Sequence, residues 1–263
     1  MSPQVEYEVT ENVATITLND PATLNALSEH VVHALNDAFH RAADEARAAV
    51  LCGAGRGFCS GWNLTSPPEA ASPGAAGPVD LGLTLERYVN PLMLYLRDLP
   101  IPWLAAVHGA AAGAGASLAL AADLIVAGES AYFLQAFRRI GLVPDAGATW
   151  LLPQAVGRVR AMELMLLGDR LPAPQAFAWG LINRVVPDTD VLHTTLAFAR
   201  DLALGPTRAL GMIRKAAWTG AQQNFATALD TERTLQTEAG FTEDFAEGVS
   251  AFVQKRQAKF KGT

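Results

Sequence analysis

The chain has 263 residues, half of them hydrophobic, and a formal net charge of −6. This length can bury a full core as one large domain, with or without a smaller appendage. The acidic balance argues against nucleic acid and anionic membranes as partners, because both are bound by extended basic surfaces. The two cysteines lack the spacing of a metal site, and neither an export signal nor an apolar run of transmembrane length is visible, so we expect a cytoplasmic protein without a metal.

The first elements predicted along the chain are a hairpin, a helix and a buried strand. Residues 5–18 alternate between polar and apolar in two runs, which predicts a β-hairpin. Ser28 stands where a helix N-cap belongs, and apolar residues recur at three- and four-residue steps up to Ala48. This pattern predicts an amphipathic helix, and a buried strand is expected next, at residues 49–52.

The middle of the chain continues the alternation of helix and strand. Residues 65–78 are rich in Pro, Ala, Ser and Gly and are expected to form a mobile loop. A helix is predicted over residues 81–99 and a strand over 103–107. A glycine-rich turn within residues 108–127 then leads to a short helix and another strand.

The pattern changes near residue 190. Up to that point strands and helices alternate, which favours α/β architecture with parallel strands, whereas only helical periodicities follow. We therefore divide the chain into a core region, residues 1–200, and a helical C-terminal region, residues 201–263. The second region has more apolar side chains than a few solitary helices can bury, so part of it is expected to form subunit contacts.

Two glycine-rich turns precede helical segments: GAGRGF at residues 53–58 and GAAAGAGAS at residues 109–117. A phosphate cradle is poorly supported, because the first turn lacks the Lys-Ser/Thr of a P-loop and no acidic ribose partner suitably follows the second. Each turn alone is also compatible with a purely structural role, the close approach of two backbones. Together, one backbone N–H from each could form an oxyanion hole for an enolate, each donor contributing about 3 kcal/mol.

Asp145 is the only carboxylate between Glu129 and Glu163. It stands at a Pro-Asp turn among small and apolar residues and is therefore a candidate general base. Burial among such residues would raise the pKa of the carboxyl, making it a stronger base than an exposed Asp. The alternative role is an N-cap for the helix that follows, and the two roles can coexist.

Several segments resemble the enoyl-CoA hydratase/isomerase, or crotonase, family and keep its order and spacing. The resemblance covers nearly the whole chain and implies a spiral core of ββα repeats with a helical C-terminal trimerisation region. It also implies an acyl-CoA thioester substrate, no separate cofactor because CoA is part of the substrate, and a homotrimer or a dimer of trimers. The segments are residues 16–28, 57–64, 101–127, 140–171, 178–187 and 248–260.

The resemblance also implies residue roles. By motif position, the oxyanion donors would be the backbone N–H groups of Ser60 and Ala114. The basic C-terminal residues, Lys259 among them, are candidates for phosphate contacts, although a solvated basic face is equally compatible with their spacing. Contacts with CoA, largely through backbone groups, are implied for Thr23, Leu24, Ala26, Trp62 and Asn63.

The resemblance also implies that hydratases of this family use two glutamates. In this chain the two corresponding positions are occupied by Ser117 and Phe137. Neither residue supplies a carboxylate for activating water, and Phe137 is expected to form pocket wall. The segment around Asp145 is most similar to the isomerase branch, especially the ring isomerases of phenylacetate degradation. The leading interpretation is therefore a 3-enoyl- to 2-enoyl-CoA isomerase, with 2-(1,2-epoxy-1,2-dihydrophenyl)acetyl-CoA as one candidate substrate.

Three alternatives remain open at the level of sequence. Hydration is common in the family and is the first of them. Acyl-CoA dehalogenases or hydrolases also place an Asp at this turn, but with supporting Trp and His where this chain has Phe137 and Arg138. A non-catalytic acyl-CoA-binding trimer is the third. His108 has no Ser or Asp partner at a spacing that would indicate a catalytic triad.

Overall fold

The computed structural model describes residues 4–65 and 80–263. Within these ranges the strands form two sheets. The larger sheet is built from β1 (Val5–Thr10), β2 (Val13–Leu18), β3 (Ala48–Gly53), β4 (Trp103–Val107), β6 (Leu124–Gly128) and β9 (Arg184–Val186). The smaller sheet contains β5 (Ala110–Ala112), β7 (Tyr132–Leu134) and β8 (Arg170–Pro172).

The larger sheet has the order β1-β2-β3-β4-β6-β9, and the smaller one has the order β5-β7-β8. The β1–β2 hairpin is antiparallel, and every other pairing in the larger sheet is parallel. In the smaller sheet β5 and β7 are parallel while β7 and β8 are antiparallel. The predicted hairpin, the predicted α/β class and the parallel strands are thus confirmed.

Helices connect these strands and then continue to the C-terminus. The N-cap predicted at Ser28 is confirmed, because its Oγ accepts a hydrogen bond from the Val31 N–H at 3.3 Å. The helices are α1 (Glu29–Glu45), α2 (Leu81–Thr84), α3 (Asn90–Asp98), α4 (Ala114–Leu120), α5 (Ala148–Leu167), α6 (Ala173–Ala178), α7 (Val191–Leu204), α8 (Thr207–Gly220), α9 (Phe225–Gly240) and α10 (Glu243–Gln254).

The helix predicted over residues 81–99 is interrupted. Its first turn, α2, passes into a π-helical segment at Leu85–Val89 before α3 begins. Single π-helical turns are rare and frequently stand at functional sites. The loop predicted at residues 65–78 lies, apart from Thr65, outside the described residues.

The larger sheet is covered on both faces. One face contributes to the main core, which includes side chains of α1, α3 and α4. On the other face, Val191, Ala199 and Ala203 of α7 pack against a second buried cluster that includes Val50 and Leu104. The predicted boundary between residues 200 and 201 therefore falls inside a helix that belongs to the core, and the C-terminal helices begin at α7.

Helix α8 is tied to the core by a buried ion pair. The Arg214 Nε lies 2.5 Å from Asp123 Oδ2, and the same guanidinium also donates to the carbonyl groups of Leu96 and Leu99. Asp123 Oδ2 in turn accepts from the Trp103 N–H. Every partner is hydrogen-bonded, as buried charges require.

The C-terminal helices leave large apolar side chains in solvent. Phe225 is 80% exposed, Phe241 86% and Phe252 85%. Such surfaces are typical of subunit interfaces. They are consistent with the predicted subunit contact, which stays a prediction. In the part of the chain that the structure describes, the helices lack the combination of length and hydrophobicity that a membrane span requires.

Candidate active site

A cavity of about 370 Å³ lies where the two glycine turns, the α2 region and the turn with Asp145 meet. Its walls are mainly apolar. A larger depression, of about 770 Å³, lies between Arg47, Arg97 and α8 but contains neither Asp145 nor either predicted oxyanion donor. We therefore assign the smaller cavity as the candidate active site. Its apolar walls include Trp62, Leu81, Leu85, Val89, Phe137 and Leu142.

Asp145 is half-buried at the edge of this cavity. Its Oδ1 atom is inaccessible to solvent and accepts no hydrogen bond within the described protein. Desolvation raises the pKa of this carboxyl from 3.8 to about 6. An acid with this pKa is mostly ionised at neutral pH and still binds a proton well, so it can act as a base and then as an acid.

A strained turn fixes the position of Asp145. The next residue, Ala146, has a φ of 49°, and Gly147 has a φ of 81°. The Ala148 N–H donates to the backbone carbonyl of Asp145 at 3.0 Å, and no side chain caps α5. The N-cap alternative for the Asp145 carboxylate is therefore wrong. Non-glycine residues in the left-handed region are uncommon and concentrate at functional sites.

The first glycine turn presents a different donor from the predicted one. The Ser60 N–H donates to the Leu24 carbonyl at 2.9 Å, so it is not free to bind an oxyanion. The Leu27 N–H donates to the Gly61 carbonyl, and Leu27 O accepts from Asn63 N–H. Because hydrogen-bonding directions alternate along an extended chain, the intervening Trp62 N–H faces away from Leu27.

The Trp62 N–H donates to no described residue, and Trp62 lines the cavity. The predicted donor at Ser60 is corrected to Trp62 for this reason. Ser60 instead supports the site, since its Oγ donates to the Thr23 carbonyl at 2.8 Å. The sequence indicates Trp62 only as a CoA contact, through its place in the family-like segment at residues 57–64.

The second glycine turn supplies the other donor. Ala114 is the first residue of α4 and lines the cavity, and its N–H has no partner within the helix because first-turn N–H groups never do. The Gly113 N–H before it is occupied by the Leu134 carbonyl. The predicted Ala114 donor thus remains available.

The two turns come so close that side chains are excluded between them. A Cβ atom on Gly61 would lie 2.7 Å from the Ala112 carbonyl oxygen and 3.5 Å from the Ala114 nitrogen. A Cβ atom on Gly115 would lie 2.6 Å from the Cys59 Sγ. Glycine is therefore needed for the approach that brings the Trp62 and Ala114 N–H groups to one cavity.

Comparison with known proteins agrees with this geometry. Residues 8–263 match the sequence profile of the family described as enoyl-CoA hydratase/isomerase. The chain belongs to this family. It is 46% identical over 258 residues to a probable enoyl-CoA hydratase of Rhodobacter capsulatus, with 98% of each chain covered. It is 44% identical over 256 residues to the 1,2-epoxyphenylacetyl-CoA isomerase of Escherichia coli, with 97% of each chain covered.

A solved structure confirms the crotonase fold. The crystal structure of a putative enoyl-CoA hydratase from Streptomyces coelicolor A3(2) superposes with a TM-score of 0.91 at 36% identity. The match covers 99% of this chain and 95% of that one. The resemblance to the enoyl-CoA hydratase/isomerase family is therefore confirmed, as is the α/β fold with a helical C-terminal region.

Within this enoyl-CoA hydratase/isomerase fold, the two positions predicted for hydratase glutamates have different surroundings. Ser117 is fully buried, is absent from the cavity lining, and donates from Oγ to the Gly113 carbonyl at 3.3 Å. Phe137 lines the cavity and is 6% exposed, as expected for pocket wall. Asp145 is the only titratable side chain among the described residues that line this cavity.

The segment predicted to contact CoA borders the first glycine turn. The carbonyls of Thr23 and Leu24 both accept hydrogen bonds from Ser60, and Ala26 N–H donates to the Thr23 hydroxyl at 3.2 Å. Sequence reasoning missed Asn25, whose buried amide donates to the carbonyls of Ala54, Gly57 and Phe58 and so clamps the turn.

Other predicted residues have structural partners or lie elsewhere. Asn63 Oδ1 accepts from the Thr65 N–H and hydroxyl. Lys259 does not line the cavity of its own chain, and its backbone N–H donates to Glu247. His108 Nε2 lies 3.0 Å from the Gly55 carbonyl oxygen, which places the ring against the first glycine turn.

Proposed function

We propose that the protein is an acyl-CoA double-bond isomerase that converts 3-enoyl-CoA into 2-enoyl-CoA thioesters. The observation that carries this proposal is that Asp145 is the sole titratable side chain among the described residues lining the cavity. A 1,3 proton shift needs only one group, because the proton removed from one carbon is returned to another. Hydration requires in addition that a water molecule be positioned and activated.

The proposed reaction has two balanced steps. The Asp145 carboxylate removes a proton from C2 of the 3-enoyl thioester, and the electron pair delocalises into a dienolate with negative charge on the thioester oxygen. The N–H groups of Trp62 and Ala114 hydrogen-bond this oxygen, which stabilises the charge as it develops. Asp145, now a carboxylic acid, protonates C4, and the double bond moves from C3–C4 to C2–C3.

The acyl group is expected to be apolar over most of its surface, because the cavity walls are. A ring-derived substrate, 2-(1,2-epoxy-1,2-dihydrophenyl)acetyl-CoA, is a separate candidate, given the 44% identity to the E. coli 1,2-epoxyphenylacetyl-CoA isomerase. It has no C3–C4 double bond, so it would share with the proposed reaction only the removal of a C2 proton and the hydrogen bonds to the thioester oxygen. Thr23, Leu24, Ala26, Trp62 and Asn63 are proposed to contact CoA. The active assembly is proposed to be a homotrimer or a dimer of trimers, in which Lys259 would reach CoA phosphates from a neighbouring subunit.

Enoyl-CoA hydration is the second candidate, because the relative with 46% identity is described as a probable enoyl-CoA hydratase. Against it stand Ser117 and Phe137, which offer no carboxylate. Ser117 is also turned into its own helix, since its hydroxyl donates to Gly113.

Product analysis separates the two candidates. The wild-type protein would be incubated separately with 3-hexenoyl-CoA and with 2-hexenoyl-CoA, and the products resolved by chromatography and mass. We expect 2-hexenoyl-CoA from the first substrate with little gain of water. Accumulation of 3-hydroxyhexanoyl-CoA from the second substrate, without double-bond migration from the first, would replace the isomerase proposal with hydration.

A further inference from the structure

Asn25 is a buried polar residue whose side chain joins separate parts of the backbone. It is 1% exposed and has a left-handed φ of 58°. Its Oδ1 atom accepts a hydrogen bond from the Asp20 N–H at 2.9 Å. Its amide nitrogen lies within hydrogen-bond distance of three backbone carbonyl oxygens, 2.9 Å from Ala54, 2.8 Å from Gly57 and 3.2 Å from Phe58.

The first glycine turn has space for this amide. A Cβ atom on Gly53 would lie 2.7 Å from the Asn25 amide nitrogen, so a larger residue there would displace the carboxamide. Without the amide, three neighbouring carbonyl groups would lose a donor at a buried position, where polar groups are nearly always paired. The contact between Asn25 and the turn is therefore specific to these two residue types.

The segment that contains Asn25 also holds the first oxyanion donor in place. Residues 24–27 lie beside residues 60–63 and make three backbone hydrogen bonds with them. These bonds occupy one side of the extended chain at residues 60–63, and the Trp62 N–H faces the other side. Asn25 stands within the first of these segments and fixes it against the turn of residues 53–58, which leads directly into the second.

Asn25 acts on the cavity only through other residues. It does not line the cavity, whereas Trp62 does. Its carboxamide is engaged on both sides by backbone groups, so its contacts are structural and its influence on a bound thioester passes through the position of the Trp62 N–H.

We propose that Asn25 is a positioning residue for the oxyanion hole, its amide fixing the segment that aims the Trp62 N–H at the thioester oxygen. Loss of the amide would let residues 24–27 and 60–63 shift relative to Ala114, the other donor. A displacement of about 1 Å at a reacting group can lower a rate by about 100-fold. This inference rests on the proposed function insofar as that function places a thioester oxygen between the two N–H groups.

Infrared difference spectroscopy tests the inference without turnover. The probe is hexanoyl-CoA with ¹³C at the thioester carbon, which has no double bond to move. Hydrogen bonds to a carbonyl oxygen lower its stretching frequency, so the bound probe reports the two donors directly. Asn25→Gly removes the carboxamide and keeps a residue that adopts a positive φ without strain.

Asn183→Ala is the matched control. The Asn183 Oδ1 also accepts a hydrogen bond from a backbone N–H, that of Ile125 at 2.7 Å, but Asn183 does not line the cavity. Thermal melting checks that each variant folds, and Asn25→Ala replaces Asn25→Gly if the glycine variant does not. Steady-state rates with 3-hexenoyl-CoA would be measured for the same proteins.

We expect the wild type to lower the carbonyl frequency of the bound probe and Asn25→Gly to lose about half of this effect, since one of two donors is misplaced. The kcat of Asn25→Gly should fall about 100-fold while KM changes less than about tenfold. Asn183→Ala should keep both the frequency and kcat of the wild type.

A wild-type carbonyl frequency in Asn25→Gly, or a kcat no lower than that of Asn183→Ala, would overturn the inference. A wild type that leaves the carbonyl frequency unchanged would overturn it together with the oxyanion hole. A wild type that lowers the frequency but moves no double bond would refute the proposed isomerase, and the loss of this effect in Asn25→Gly would still support the role of Asn25.

Discussion

The Asp145 carboxylate and the Ala114 backbone N–H border the same cavity, although 31 positions separate them in the chain. One is a half-buried acid with its pKa raised to about 6, and the other is an N–H with no partner within its helix. A proton acceptor and an oxyanion donor therefore reach the same bound acyl group. This pairing leads to four predictions about activity, pH and stability, and the exposed C-terminal helices lead to a fifth.

Removing the Ala114 N–H is expected to slow double-bond migration by about 100- to 1000-fold, because one oxyanion donor is lost. Ala114→Pro deletes this N–H at the first helical position, where proline is best tolerated. Ala114→Gly is the matched control, since it keeps the N–H, and should stay within a few-fold of wild type. Rates with 3-hexenoyl-CoA would be compared after melting curves confirm folding. A proline variant as fast as the glycine variant would exclude Ala114 as a donor.

The pH dependence of kcat/KM should report the ionisation of Asp145 in the free enzyme. Desolvation raises this pKa to about 6, and only the ionised carboxylate can remove the first proton. We therefore expect kcat/KM to be constant above about pH 7. Below about pH 6 it should decrease with falling pH, approaching a tenfold decrease per pH unit. Initial rates between pH 5 and 8 would measure it. A profile that stays flat down to pH 5 would mean that the base is a different group or is not desolvated.

Asp145→Asn should stabilise the protein at pH 7.5. The pKa is higher in the folded than in the unfolded chain, so the folded state binds more protons between about pH 4 and 6 and loses stability as pH rises through that window. The ionised Asp145 thus opposes folding above about pH 6. We expect a gain of about 1–2 kcal/mol for the asparagine variant, allowing for partial solvent contact of this carboxyl.

Urea unfolding at a fixed protein concentration would measure this gain at pH 7.5 and again at pH 4.5, where we expect most of it to vanish. Wild type and variant should be compared in the same oligomeric state, since subunit association also affects stability. If wild type and Asp145→Asn had the same free energy of unfolding at pH 7.5 as well as at pH 4.5, burial would not destabilise the ionised Asp145 carboxylate.

The exposed apolar side chains of the C-terminal helices predict subunit contacts, and the family resemblance implies an assembly of three or six chains. With a chain mass of 27.9 kDa, light scattering should give about 3 × 27.9 = 84 kDa, or twice that value. Phe241→Ser and Phe252→Ser would test which of these two exposed rings lies in an interface. A molecular mass near that of one chain at micromolar concentration would contradict the proposed trimer.

Much of the fold could be predicted from local sequence signals. The hairpin of residues 5–18 and the cap at Ser28 depend on neighbouring residues, and both were found. The boundary placed at residue 200 failed because α7 packs against the larger sheet, and that contact joins parts of the chain far apart in sequence.

The site was predicted less completely, for a similar reason. Asp145 and Ala114 stand in recognisable motifs, and the cavity brings them together. Choosing between Ser60 and Trp62 required knowing which N–H groups the segment from Leu24 to Leu27 occupies, and no local pattern shows that.

The most direct test is proton exchange by wild type and Asp145→Asn in deuterated water. Each protein would be incubated with 3-hexenoyl-CoA, and deuterium at C2 and C4 followed by NMR together with double-bond position. We expect the wild type to form 2-hexenoyl-CoA with deuterium exchange, and the asparagine variant to bind the thioester with both processes slowed at least about 1000-fold. An asparagine variant that still moves the double bond at a rate near wild type would contradict the assignment of Asp145 as the base.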